Sequence, residues 1–230
     1  MYHNRCIVCD SQLIEILTID SLFSSLPMIC DVCENNIVQI NVCKRCENCK
    51  KKLDIDENKC IDCMFIQSQF SFTNELDFVS DYHAQLSALL HQYKSSGDIL
   101  LAKVLAHLTL KHYSKKYFKQ FDYIIPMPIS DKRLALRGFN HITTILDHMA
   151  IKYRNVLQTD YREKQMHLTK KERLSQTNPF RLINACDIKD NARILLIDDI
   201  YTTGLTMSHA KSVLLSYKHC EIKMLAFARA

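Results

Sequence analysis

Residues 193–210 read RILLIDDIYTTGLTMSHA. An apolar run, Ile194 to Ile197, ends in two adjacent carboxylates, Asp198 and Asp199, and passes into a hydroxyl-rich turn around Gly204. Arg193 to Ile200 has the character of a buried strand, and Thr206 to Tyr217 the spacing of a helix. A strand that enters a helix so soon must turn sharply, which glycine permits. Successive backbone N–H groups then face one concavity at a helix N-terminus, a ready anion site. Thr202, Thr203 and Thr206 add hydroxyl donors beside Gly204 and Leu205. Carboxylates repel phosphate but accept hydrogen bonds from hydroxyls. A ribose phosphate offers both partners, a phosphate for the turn and ring hydroxyls for the acids. The competing readings are a strand–turn–helix with solvated acids and an acidic Mg²⁺ site of another kind.

Outward from this stretch, strands and helices alternate. Tyr82–Tyr93 is apolar on one helical face through Leu86, Leu89, Leu90 and Tyr93, and Ile99–Ser114 follows as a second helix. FDYIIPMPIS reads as a buried strand ending at Pro126 and Pro128. Phe139–Tyr153 reads as a helix, VLQTDY as a strand and IKMLAFARA as the last strand. The pattern predicts an α/β fold from residue 82 to 230, a parallel sheet with helices on both faces. Ligands of such sheets sit at the carboxyl ends of strands, where the loops after Ile125 and Ile200 begin. Residues 65–81 are expected to be an irregular or strand-like linker, and residues 1–64 a separate cysteine-rich module.

The chain has 230 residues, 47% hydrophobic and 24% charged, which suits one ordinary domain plus a small one. Met1–Asp10 lacks the apolar core of a signal peptide, and no apolar run is long enough to span a membrane, so a cytoplasmic protein is expected. Residues 1–63 hold 7 Lys and Arg against 10 Asp and Glu, while the remainder holds 23 against 15. The basic part therefore contains the candidate anion site, a balance compatible with phosphate ligands or nucleic acid.

Of 11 cysteines, nine precede residue 64. Eight form the pairs Cys6/Cys9, Cys30/Cys33, Cys46/Cys49 and Cys60/Cys63, each C-x2-C. Such a turn aims two thiolates at one point, and two turns complete a tetrahedron around zinc. Sequential filling, with Cys6/Cys9/Cys30/Cys33 as one site and Cys46/Cys49/Cys60/Cys63 as the other, is expected. An interleaved cross-brace stays open, as does a role for Cys43 in place of Cys49. A four-sulfur shell leaves no open position, so one or two zinc ions would be structural. Cys186 and Cys220 read as half-buried thiols.

The run from apolar strand through Asp198-Asp199 to Thr203-Gly204-Leu205-Thr206 resembles the phosphoribosyl diphosphate (PRPP) motif of type I phosphoribosyltransferases. With IIPMPIS at 124–130, RGFN at 137–140 and cysteine pairs in front, the chain resembles the ComF/ComFC family, late-competence proteins of naturally transformable bacteria. The resemblance spans nearly the whole chain. It implies a type I phosphoribosyltransferase-like sheet preceded by a zinc-binding module. It gives Asp198 and Asp199 the ribose hydroxyls and Thr202, Thr203, Gly204, Leu205 and Thr206 the 5′-phosphate. Pro126, Met127 and Pro128 would form the pyrophosphate loop, Arg137 would offer a guanidinium fork, and Mg²⁺ would accompany PRPP. Lys132 and Arg133 read as surface cations, and Arg162–Arg173 as a mobile loop or a solvated one. Lys94 and Gly97 match the family's Lys-x-x-Gly stretch. Ser95 and Ser96 stand where an aromatic and a basic residue are commoner, which weakens any nucleic-acid contact assigned there.

Three functions fit. The resemblance implies uptake and processing of single-stranded DNA in natural transformation, with a competence helicase or other transformation proteins as partners. An active transferase would displace pyrophosphate from PRPP with a base or nucleotide, but the sequence shows no acceptor pocket and singles out no catalytic residue. A zinc-bearing adaptor with a degenerate site is the third. Against DNA, the cysteine module is net acidic and tryptophan is absent, so stacking would fall to Tyr or Phe.

Overall fold

The structure is a computed structural model describing residues 5–13, 28–54, 56–159, 178–184 and 188–230. Its helices are α1 (Asp31–Ile37), α2 (Ile61–Phe70), α3 (Ala84–Ser95), α4 (Leu101–His112), α5 (Lys115–Phe118), α6 (Asp131–Arg137), α7 (His141–His148) and α8 (Leu205–Tyr217). Its strands are β1 (Leu76–Asp81), β2 (Tyr123–Pro126), β3 (Leu157–Thr159), β4 (Phe180–Leu182), β5 (Ala192–Tyr201) and β6 (Cys220–Arg229). Among the described residues, no helix is long and apolar enough to cross a membrane.

The apolar run of β5 lies in the middle of a four-stranded sheet ordered β1-β6-β5-β2, and every pairing is parallel. Alternate side chains enter different cores. Leu195, Ile197, Leu225 and Phe227 pack in one cluster with Leu86 and Leu90 of α3, Leu105 of α4 and Ile145 of α7. Ile194, Leu196, Met224 and Ala226 pack in the other with Met207, Ala210 and Leu214 of α8 and Leu157 of β3. A strand buried on both faces has no polar side to alternate with, so Ile194–Ile197 is continuously apolar. The expected α/β class, a parallel sheet with helices on both faces, is the one observed.

Pro126 registers opposite Ile197 on β2, which lies at the sheet edge, where a residue without an N–H is tolerated. The Met127 amide then donates to the Ile197 carbonyl at 2.8 Å. The loop after β2 therefore leaves the sheet at the level of Asp198 and Asp199.

The segment 65–81, expected to be a linker, is instead part of the fold. It holds the end of α2 and the whole of β1, an edge strand of the main sheet. The polar residues of β1 resemble a loop in sequence, but each has a specific partner. Asp77 accepts from the Tyr117 hydroxyl at 2.7 Å and pairs with Lys223 at 2.9 Å. The Ser80 hydroxyl donates to the Ile37 carbonyl at 2.9 Å. Buried Asp81 receives Arg45 at 2.8 and 2.9 Å, and a pair this well enclosed is strongly destabilising if one partner is lost. The helix expected over Phe139–Tyr153 is shorter, because Asn140 caps its start and Ala150 turns left-handed beyond its end. The short helices α1, α2, α5 and α6 carry too little periodicity to be read from sequence.

Candidate functional site

The carboxyl end of β5 delivers the acid pair. Asp198 is half-buried and Asp199 buried, and the Asp199 amide donates to Asp198 Oδ1 at 2.9 Å. Lys94, in the last turn of α3, forms an ion pair with Asp199. His141 Nε2 stands 3.7 Å from Asp199 Oδ2, and Arg137 Nη1 lies 2.8 Å from His141 Nδ1. A guanidinium can only donate, so Nδ1 accepts and the imidazole proton sits on Nε2, facing the carboxylate. Burial, then Lys94, Arg137 and Arg133, hold His141 well below its ordinary value, which keeps it neutral. Burial pushes the Asp198 carboxyl up to about 7, against the pull of Lys94.

The RGFN stretch is a joint between helices. Gly138 ends α6 in the left-handed region at φ 82°, its amide bonding the Leu134 carbonyl. Asn140 starts α7 by accepting from the Ile142 and Thr143 amides. Between them Phe139 packs on Tyr93, with ring centroids 5.3 Å apart, and the Tyr93 hydroxyl donates to the His141 carbonyl at 2.7 Å. The joint ties α7 to α3 and brings Arg137, His141 and Lys94 together.

The turn after β5 is held from behind. Gly204 has φ 81°, and a Cβ built there would lie 1.9 Å from the Tyr201 hydroxyl oxygen. Buried Asn74 donates through Nδ2 to that hydroxyl at 2.9 Å and to Ser208 Oγ at 2.7 Å, and Ser208 donates to the Gly204 carbonyl. Gly204 offers α8 no side-chain cap. The Thr203 hydroxyl accepts from the Leu205 amide at 3.4 Å, a long contact, and the helix N-terminus can still offer amides to an anion.

A pocket of about 410 Å³ collects these groups. Asp198, Asp199, Met127, Pro128, Arg137, Leu205 and Thr206 line it, all of them expected from sequence. Thr202, Thr203 and Gly204 stay in the turn beside it, outside the lining, with Gly204 buried against Tyr201. Lys94, Ser130, Arg133, His141, Thr159, Phe180 and His209 also line it, among others. Arg133 is exposed, as expected of a surface cation, and also lines the pocket. His141 had no sequence signal beyond its place directly after RGFN. Ligand atoms of His141, Asp198 and Asp199 lie within 4.8 Å of one another, but with Nδ1 accepting from Arg137 and the proton on Nε2 the imidazole has no lone pair free for a cation. The loop reading of Arg162–Arg173 and that of Cys186 fall outside the described residues.

The cysteines gather as Cys6/Cys9/Cys30/Cys33 and Cys46/Cys49/Cys60/Cys63, the sulfurs of each set within 4.8 Å. This is the sequential arrangement. Cys43 is exposed, its thiol directed to the Asn41 carbonyl. The two tetrads are built alike. Arg5↔Gln12 and Arg45↔Lys52 bridges flank the first pair of each, and Asp10 and Lys50 both turn left-handed at φ 59°. The second pair opens a helix, with Cys30 and Cys60 accepting from the Cys33 and Cys63 amides at 3.4 Å. Sulfur separations of 3.7 Å for Cys46–Cys63, 3.4 Å for Cys49–Cys60 and 3.8 Å for Cys9–Cys30 suit a zinc shell. A tetrahedron with the usual Zn–S distance has edges of about 3.8 Å. Among the described residues, neither tetrad has a core of its own. Cys6 and Cys33 belong to the α3–α4 side of the sheet, and the second tetrad to the α8 side.

No protein-family model matches the chain. It is 28% identical over 229 residues to Competence protein ComFC of Streptococcus pneumoniae, covering 98% of this chain and all of that one. It is 27% identical to Competence protein ComFC of Bacillus subtilis, covering 91% and 88% of the two chains. Competence protein F of Haemophilus influenzae is 24% identical over 88% of this chain and 90% of its own. Over nearly its whole length the chain is similar to the ComF/ComFC competence proteins. Solved structures similar to this chain include a UMP synthase of Leishmania donovani, with TM-score 0.34 and 16% identity over 61% of this chain and 24% of that one. A hypoxanthine phosphoribosyltransferase of Staphylococcus aureus follows, with TM-score 0.32 and 13% identity over 54% and 61%. An adenine phosphoribosyltransferase of Leishmania tarentolae has TM-score 0.31 and 16% identity over 58% and 73%.

Proposed function

We propose that the pocket binds the ribose 5-phosphate unit of PRPP, and that the protein uses this site in handling single-stranded DNA during natural transformation. The observation that carries the reading is the meeting of an acid pair, a helix N-terminus and two guanidinium groups around one cavity. Asp198 and Asp199 would accept the ring hydroxyls, and the Thr202–Thr206 turn would donate to the 5′-phosphate. Two carboxylates alone would repel a polyphosphate; Lys94, Arg133 and Arg137 offset them at close range. Mg²⁺ would ride on the diphosphate and the ring hydroxyls. Titration calorimetry of PRPP with Mg²⁺ into the protein is expected to show saturable one-to-one binding; absence of heat at millimolar PRPP would count against the site.

Zinc in both tetrads would be structural, in a protein kept reduced in the cytoplasm. Metal analysis of the purified chain is expected to find two equivalents of zinc, and less than one would refute the assignment.

The DNA role is supported by the competence names of the relatives and by the basic balance of the chain after residue 63. A transformation helicase is the partner this role implies. Single-stranded DNA should bind through its phosphates, so affinity should fall about tenfold or more between 50 and 200 mM salt. Absence of binding at the lower salt would remove the role.

A second reading, an active transferase, has one observation in its favour. A cavity of about 910 Å³ adjoins the pocket and shares Lys94, Arg133 and Arg137 with it. It offers an acceptor the room that the sequence alone did not disclose. Release of pyrophosphate from PRPP on adding candidate bases would distinguish turnover from binding.

A further inference from the structure

Arg229 ends β6 with its side chain turned inward, only 3% exposed. All three guanidinium nitrogens are engaged. Nε donates to the Cys49 carbonyl at 2.6 Å and Nη2 to the Cys49 sulfur at 3.3 Å. Nη1 donates to the Thr202 carbonyl at 2.9 Å, the Tyr201 carbonyl at 3.2 Å and the Ala230 carbonyl. The guanidinium carbon also lies 5.3 Å from the centre of the Tyr201 ring, the ring against which Gly204 closes. One side chain therefore touches the second cysteine tetrad and the backbone of the anion turn.

A guanidinium withdrawn this far from water requires a negative partner. Zinc held by four thiolates is net dianionic, and Cys49 presents one of those thiolates to Arg229. The tetrad thus supplies the charge that lets Arg229 stay buried, and Arg229 in turn fixes the carbonyls of Tyr201 and Thr202. The first tetrad belongs to the opposite side of the sheet and provides an internal comparison.

We propose that Arg229 is a positioning residue that transmits metal occupancy of the Cys46/Cys49/Cys60/Cys63 tetrad to the turn at 201–206. With zinc bound, the turn is held in its anion-accepting shape. Without it, the Cys49 group that faces the guanidinium is no longer anchored, Arg229 is no longer held in place, and the turn loosens. Arg229 acts on a ligand only through the turn. The consequence for PRPP rests on the reading above; the coupling itself does not.

The test is amide hydrogen exchange across 201–206 in the full-length, ligand-free protein, with zinc content measured on each sample. Cys60→Ser, which empties the second tetrad without touching Arg229, is expected to speed exchange there by about tenfold or more. Cys9→Ser, in the first tetrad, is expected to leave it unchanged. Arg229→Lys keeps the charge but cannot span Cys49 and Thr202 together. It is expected to retain both zinc ions and a cooperative thermal transition, at a lower melting temperature, while speeding exchange at 201–206 as Cys60→Ser does. Should Cys60→Ser fail to fold, Arg229→Lys decides alone. Wild-type exchange in Arg229→Lys, or equal acceleration by Cys9→Ser, overturns the proposal. A wild-type protein that ignores PRPP yet shows this coupling would refute the ligand and spare the link.

Discussion

Gly204→Ala is expected to lower stability by about 2–5 kcal/mol and to abolish ligand binding with it. Two independent costs add. The backbone at φ 81° is left-handed, which L-residues avoid, and the new methyl would fall 1.9 Å from the Tyr201 hydroxyl oxygen. Tyr201 cannot swing aside cheaply, since it is 1% exposed and its hydroxyl is fixed by Asn74. Removing that hydroxyl should not rescue the variant, because ring atom Cζ lies only 2.3 Å from the same point. Urea unfolding of Gly204→Ala and of Gly204→Ala/Tyr201→Phe checks this. A loss below about 1 kcal/mol would mean that the turn is not built as described.

Asp198→Asn should separate stability from binding. Burial raises the Asp198 carboxyl from its ordinary 3.8 to about 7, so the folded state holds this proton more tightly than the unfolded chain. Stability contributed by the group is present below about pH 4 and is lost as pH rises through about 7. Asparagine imitates the protonated acid. The variant should match the wild type near pH 4 and exceed it at pH 8 by about 1–3 kcal/mol, while losing affinity for a ribose phosphate. Thermal melts at the two pH values measure the difference; a gap independent of pH would exclude a desolvated carboxylate at this position.

Much of this site was legible because its parts are local. Ile194–Ile197, the acid pair and the glycine turn occupy one short stretch, and strand, turn and helix followed from it directly. Met127, Pro128 and Arg137 were legible as motifs. Their meeting required only the rule that ligands gather at the carboxyl ends of parallel strands. Lys94 and His141 were not legible as partners of Asp199, because the ion pair and the imidazole contact join residues far apart in the chain. β1 was half legible, since its segment read as irregular or strand-like, but its place in the main sheet was hidden by composition. Asp77, Ser80 and Asp81 look like loop residues until Tyr117, Ile37 and Arg45 are seen to satisfy them. Arg229 was hidden for a similar reason, since nothing local distinguishes a strand-end arginine in water from one reaching back to a thiolate. The pairing of the cysteines needed the fold, because sequential and interleaved tetrads have the same spacing.

The central claim, that Asp198 and Asp199 hold a ribose whose phosphate rests on the neighbouring turn, is tested most directly by titrating PRPP with Mg²⁺ into the wild type and into Asp198→Asn/Asp199→Asn. Hydrogen bonds to charged groups contribute about 1.5–3 kcal/mol each, so the double variant should bind at least about 100-fold more weakly while keeping its fold. Equal affinity in the two proteins would contradict the claim.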